Sequence, residues 1–170
     1  VPTFNRRERL RRVLAALDAQ RTTSHEGTDF DFEVVVVSDG STDGTAEVMA
    51  AYTADHPVRF IEQDNAGPAA ARNAGVAASR GDLVVFIDDD VIPEPGCLAA
   101  HVARHGANRG LVVIGPMLTP TDVPLSPWVA WEQFQLEKQY RRFDESPTAH
   151  HRQFYTGNAS VARAAFERVG

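Results

Sequence analysis

The stretch FEVVVVSDGSTDGT, residues 32–45, sets four consecutive valines between a glutamate and a polar, glycine-containing turn. Strict alternation of apolar and polar residues would mark a strand with one wet face. An unbroken β-branched run bounded by turn residues marks a strand buried on both faces, as in a parallel sheet covered by helices. The run therefore predicts a central strand. The segment STDGTAEVMAAYTAD that follows opens with capping residues and predicts a helix.

Working outward, the same alternation recurs. RERLRRVLAALDAQ, residues 7–20, puts Leu10, Val13, Leu14 and Leu17 at i, i+3, i+4 and i+7. That spacing predicts a helix with one apolar stripe and an arginine-rich face read as solvated. VPTFNR at 1–6 reads as the end of a strand, and RTTSHEGTDFD at 21–31 as a polar loop. Downstream, VRFIEQ, LVVFIDDD and GLVVIGP read as strands. AGPAAARNAGVAASRG, ending at Gly81, and PEPGCLAAHVARH, opened by prolines, read as helices between them. The alternation predicts an α/β domain around an open, mainly parallel sheet with right-handed crossovers. After Pro116 the pattern weakens. SPWVAWEQFQLEKQYRRF predicts a helix with an aromatic side, and FYTGNASVARAAFERVG a short strand or turn and then a helix. The expected organisation is one domain over 1–170, with a softer stretch after Pro116.

Composition narrows the function. A chain of 170 residues with 43% hydrophobic and 24% charged residues suits one soluble globular core. A net charge of −6 argues against a generic nucleic-acid binder, which needs a basic face. An acidic protein can still hold a phosphorylated ligand when a metal bridges the two. The single cysteine, Cys97, excludes an internal disulfide. No stretch approaches the roughly 18–20 apolar residues of a membrane span, and no signal peptide is evident. Both ends read as cut from a longer protein. The expected location is cytoplasmic, or the cytoplasmic face of a membrane reached through segments outside this chain.

Ligands of open parallel sheets bind beyond the carboxyl ends of the strands. Three such ends carry suggestive residues: VPTFNR, SDGSTDGT at 38–45, and the acidic run Asp88, Asp89 and Asp90. Glycine-rich phosphate loops are missing and Lys138 is the only lysine, so a nucleotide would need another source of positive charge. The strand end is extended, so Asp88 and Asp90 are expected to point to one side and Asp89 to the other. Two carboxylates on one side can grip a divalent cation, completed by substrate phosphates and water. A solvated acidic turn is the plainer alternative.

Taken together, VPTFNR, VVVVSDGSTDGT, NAGPAAARNAG and FIDDDV resemble, in order and approximate spacing, the family 2 glycosyltransferases of the GT-A fold. The resemblance implies a nucleotide-diphosphate sugar donor, most often a UDP-sugar, and Mn2+ or Mg2+ as cofactor. It implies a saccharide, lipid-linked or other hydroxyl acceptor, transfer with inversion, and a division into a nucleotide-binding half at 1–116 and an acceptor and donor-sugar half at 117–170. Asp90 would be the principal metal ligand, assisted by Asp88, with Asp89 reaching the ribose or sugar. Asp39 would accept a hydrogen bond from the nucleobase edge, unless it merely caps the following helix. Ser38 stands where the family usually has another aspartate. Pro2, Thr3, Phe4 and Asn5 match the first nucleotide-binding segment, with Phe4 in place of a usual tyrosine. Arg72 would face the uridine or the diphosphate, or else serve the helix end; Asn73 and Gly75 read as packing residues. Gly157 and Asn158 would contact the sugar, or form a simple turn. Asp43 reads as a helix-start residue. The family's general base is expected after Gly170, so no catalytic base is assigned within the chain.

Two other readings compete. One is a non-catalytic module that binds a nucleotide sugar. The other is a haloacid-dehalogenase-type phosphohydrolase, loosely suggested by FIDDDVI but lacking a well-placed lysine. His101 and His105, at i and i+4, could bind zinc but read as surface residues. His150 and His151 read as exposed. Trp128, Trp131 and Phe134 would line a sugar-acceptor groove or pack against the sheet.

Overall fold

The computed structural model describes residues 1–23, 27, 29–106, 110–119, 124–145, 150 and 153–169. His151, part of the polar loop at 21–31, part of the softer region at 117–127, and Gly170 lie outside the described residues. The elements run β1 (Pro2–Thr3), α1 (Arg7–Asp18), β2 (Val34–Asp39), α2 (Thr45–Ala51), β3 (Val58–Gln63), α3 (Pro68–Ala78), β4 (Leu83–Ile87), α4 (Cys97–His105), β5 (Val112–Ile114), α5 (Pro127–Glu145), β6 (Asn158–Ala162) and α6 (Arg163–Val169). The chain forms two compact units: Val1–Gly115 with Thr156–Gly170, and Pro116–Tyr155. No helix among the described residues is long and apolar enough to cross a membrane.

In the first unit β1, β2 and β3 form a parallel sheet in that order, with Thr3 opposite Ser38 and Asp39 opposite Gln63. Every residue of β2 is buried. The period-2 geometry of a strand divides the valine run between two cores. Val34 and Val36 join Leu10, Val13, Leu14 and Leu17 of α1 and Met49 of α2. Val35 and Val37 pack against Ala71, Ala74 and Ala78 of α3. Burial of each such aliphatic side chain stabilises by about 1.5–3 kcal/mol relative to exposure. The small residues of α3 permit a close approach: a Cβ on Gly75 would stand 3.4 Å from Val37 Cγ2. Gly75 is thus a packing residue, as expected, whereas Asn73 is exposed.

The class is the α/β one that the alternation predicts, and the first sheet is parallel. The remaining strands depart from that expectation. β4 and β5 pair with β6, which lies between them and runs antiparallel to both, with Phe86 and Ile114 each opposite Ala159. The NASVA segment, read as a short strand or turn, is the middle of this sheet. Its Ala159, Ser160 and Ala162 are buried. Small residues carry little hydrophobic signal in a sequence, yet they suit a central strand closely covered by helices.

The two α4 histidines correct the surface reading. His101 and His105 are buried, on the same helix face as Leu98. Their i, i+4 spacing turns both toward β6, and Ser160 and Asn158 supply the partners that a buried ring needs. In the second unit α5 carries Trp128, Trp131 and Phe134 exposed. The two indoles stack with centroids 5.2 Å apart. The Tyr140 hydroxyl accepts the Met117 N–H at 2.9 Å and meets the Tyr155 hydroxyl at 3.1 Å. His150 is exposed, as expected.

Candidate functional site

The loops after β1 and β2 are stitched together by Asn5. Its φ of +52° is left-handed, a conformation that asparagine tolerates better than most residues. Its carboxamide oxygen accepts the Thr42 N–H at 2.7 Å, and its own N–H donates to Ser41 Oγ at 3.1 Å. Asp43 completes the junction. It accepts the Arg7 N–H at 2.9 Å and the Thr45 hydroxyl at 2.6 Å, so it serves the starts of both α1 and α2. Burial alone would raise its carboxyl; the bonds from Thr45 and Arg7 outweigh that and hold it below the usual value. Asp43 is therefore the helix-start residue that the sequence suggests.

Asp39 ends β2 and is nearly enclosed. Its Oδ1 accepts Gln63 Nε2 at 2.7 Å and the Ala66 N–H at 2.9 Å, and its Oδ2 accepts the Gly67 N–H at 2.8 Å. The Ala66 N–H foremost, with Gln63 and Gly67, holds the carboxyl below its ordinary value against the opposing effect of burial. Asp39 does act at a helix start, but at α3 across the sheet rather than at the α2 that follows it in sequence. One lone pair of Oδ2 is left for an outside donor. This cradle at the end of β3 went unnoticed in the sequence, although Gln63 ends a strand beside Asp39.

The acidic trio sits in a turn, not on the strand. β4 stops at Ile87, and the Val91 N–H bonds the Asp88 carbonyl at 3.1 Å. Strand alternation therefore does not govern where the three side chains point. Arg6 Nη1 reaches Asp89 Oδ1 at 3.0 Å and Asp90 Oδ2 at 2.9 Å, and Arg9 Nη1 reaches Asp90 at 3.3 Å. Arg72 Nη2 meets Asp88 Oδ1 at 2.5 Å. Three arginines thus answer the mutual repulsion of three carboxylates. Arg9, read from the sequence as part of a solvated face, and Arg6, which has no role in that reading, are both directed at this turn. The side chains of Asp88 and Asp90 are 30% and 41% exposed, that of Asp89 only 6%.

Around these groups, Phe4 is exposed and Pro2 and Thr3 lie in β1. Thr3 Oγ1 and Arg72 Nε are buried with no hydrogen-bond partner among the described residues. Gly157 receives the Asp88 N–H on its carbonyl at 3.2 Å. Asn158 is buried, with its Oδ1 2.9 Å from His101 Nε2. Its side chain faces α4, and its link to the acidic turn runs through the backbone of Gly157. The donor pattern fixes the polarity of this network. His101 Nε2–H donates to Asn158, so His101 Nδ1 accepts from Ser160 at 2.8 Å, and Ser160 Oγ accepts from His105 Nε2 at 2.9 Å.

Three strand-end loops therefore meet: Asn5 ties β1 to β2, Arg6 ties β1 to β4, and Arg72 of α3 closes on Asp88. Residues 1–170 match the family model described as glycosyl transferase family 2. The chain belongs to glycosyl transferase family 2. The validoxylamine A glucosyltransferase of Streptomyces hygroscopicus subsp. jinggangensis is 37% identical over 118 residues, covering 68% of this chain and 27% of that protein. The mannosyltransferase PcManGT from Pyrobaculum calidifontis, solved with GDP-Man and Mn2+, superposes with a TM-score of 0.74 over 99% of this chain and 45% of that one, at 24% identity. Staphylococcus aureus TarS 1-349 in complex with UDP-GlcNAc gives 0.60 over 74% of this chain and 35% of that one, at 26% identity. This family 2 chain spans about a quarter of the length of the first curated relatives it matches. The α/β architecture is that of the GT-A glycosyltransferases. Family membership displaces the phosphohydrolase reading of FIDDDVI.

A divalent cation fits the acidic turn in donor chemistry. Asp88 and Asp90 offer hard, accessible carboxylate oxygens of the kind that Mn2+ and Mg2+ take. Among the described residues no group of three or more histidine, cysteine, aspartate or glutamate side chains could hold a metal by itself.

Proposed function

We propose that this domain transfers a glycosyl group from a UDP-sugar to an acceptor hydroxyl, with inversion at the anomeric carbon and with Mn2+ or Mg2+ as cofactor. The observation that carries this reading is the hydrogen-bonded meeting of the β1, β2 and β4 loops in a family 2 chain, with a low-lying carboxylate at Asp39 and a compensated acidic turn at Asp88–Asp90. Asp39 accepts the imide N–H of uracil on its remaining Oδ2 lone pair, which favours uracil over bases lacking that donor. Phe4 offers its exposed ring face to the base. Arg72, with a buried Nε to satisfy, directs its guanidinium toward the diphosphate. Asp88 and Asp90 hold the cation, and Asp89 lies toward the ribose or sugar. When bound, the cation neutralises charge growing on the departing diphosphate. The acceptor hydroxyl attacks from the opposite face and gives its proton to a base that the family pattern puts after Gly170. A UDP-GlcNAc complex is known for TarS, which supports a uridine donor here.

Calorimetry of the intact protein with UDP, with and without Mn2+, tests the reading. Binding of UDP that strengthens at least tenfold with Mn2+, and exceeds that of GDP, is expected. Binding of equal strength without metal would remove the role given to the acidic turn.

A further inference from the structure

We infer that Arg6 is a resident counter-ion for Asp89 and Asp90 that holds a divalent cation off the acidic turn until a nucleotide diphosphate arrives with it. The inference rests on the function proposed above and assigns Arg6 a regulatory part in it.

The geometry is specific. A single guanidinium nitrogen, Arg6 Nη1, bridges one oxygen of Asp89 and one of Asp90, and Arg9 reaches the same Asp90 oxygen. A cation taking Asp90 Oδ2 as a ligand competes for an atom that already accepts two guanidinium bonds. With Arg72 on Asp88, the trio is charge-balanced by Arg6 at the α1 N-cap, Arg9 of α1 and Arg72 of α3. A bare divalent ion would bring two further positive charges next to three guanidinium groups. A diphosphate changes that balance: it bridges the ion and offers the displaced guanidinium an anionic partner of matching geometry. Arg6 can make the exchange because its side chain is 47% exposed, while its backbone is held in place by its carbonyl, which accepts the Leu10 N–H at 3.0 Å. Asp89, by contrast, is buried and stays put. The Arg6–Asp90 pair that the cation displaces is exposed on both sides, and such pairs are weak, so the exclusion is modest, about fivefold in cation affinity.

The consequence is coupling. Binding free energies are reciprocal, so whatever UDP does for Mn2+, Mn2+ does for UDP. In Arg6→Gln, Mn2+ alone binds about fivefold more tightly than to the wild type, and the factor by which UDP tightens Mn2+ shrinks by a similar amount. Arg11→Gln makes the same change of charge on an exposed position of α1 and leaves both quantities unchanged. Arg6→Lys retains the charge and restores part of the exclusion. The measurement is an electron paramagnetic resonance titration of free Mn2+, with and without UDP, on proteins matched for thermal unfolding temperature. If Arg6→Gln binds Mn2+ no more tightly than the wild type, or if Arg11→Gln shifts as much, the inference is overturned while the proposed function stands. If the wild type binds neither Mn2+ nor UDP, both fall together.

Discussion

Asp39 shows how one carboxylate can serve folding and recognition at once. Three donors from the 63–67 loop converge on it, so it positions the start of α3 before any ligand is present. Asp39→Asn turns an amide N–H2 toward those donors. The expected result is a lower unfolding temperature in calorimetry together with UDP affinity weakened about tenfold or more. Gly40, next in the chain, has φ +80°, and a Cβ there would stand 3.0 Å from the Asn65 backbone nitrogen. Gly40→Ala therefore pushes the same loop off Asp39 and weakens UDP binding, as a fluorescence titration would register. In the sequence Asp39 was legible as a ligand candidate because it ends an apolar run in a turn. Its three donors were not legible, since two are backbone groups that any residue type supplies. Arg6 was missed for a different reason: a basic residue at a helix start looks solvated until the acidic turn it faces, more than eighty residues on, is brought beside it.

At the scale of elements, α1 and β2 hold the first core. Leu14 is buried in that core. Leu14→Ala costs about 3 kcal/mol, measurable as a lower urea midpoint with an unchanged slope. The α4–β6 pairing carries a pH signature instead. Burial, partly offset by the bond to Asn158, holds His101 below its ordinary value of 6.5. The unfolded chain therefore binds this proton more readily than the folded one. Stability from His101 is complete above about pH 6.5 and declines as pH falls below it, until the folded ring itself titrates. Urea unfolding between pH 7.5 and 5 should show that decline, and His101→Gln should flatten it (both pH values are chosen around the ordinary histidine range). Elements with strong apolar runs, β2 and β4 among them, were legible. β6 was legible only as a short strand or turn, not as a central strand: Asn158, Ala159 and Ser160 are small or polar, and their burial depends on helices and strands far away in sequence.

For the whole molecule, chain order and spatial order disagree. The first unit opens at Gly115 and resumes at Thr156, after the separate Pro116–Tyr155 unit, and the returning strand fills the middle of its second sheet. Ending the chain after Tyr155 leaves β4 and β5 without the strand between them. Such a truncation should lose strand signal in circular dichroism and elute as aggregates in gel filtration, with the unpaired strand edges as the cause. The alternation of strands and helices gave the class from sequence, but an α/β pattern carries no mark of which later segment will return, or in which direction. That arrangement also has a cost during synthesis. A ribosome adding about 5–20 residues per second releases Ile114 several seconds before Asn158. For that interval two apolar strands wait outside the exit tunnel for a partner that has not been made, and they are the surfaces a nascent-chain chaperone would cover first.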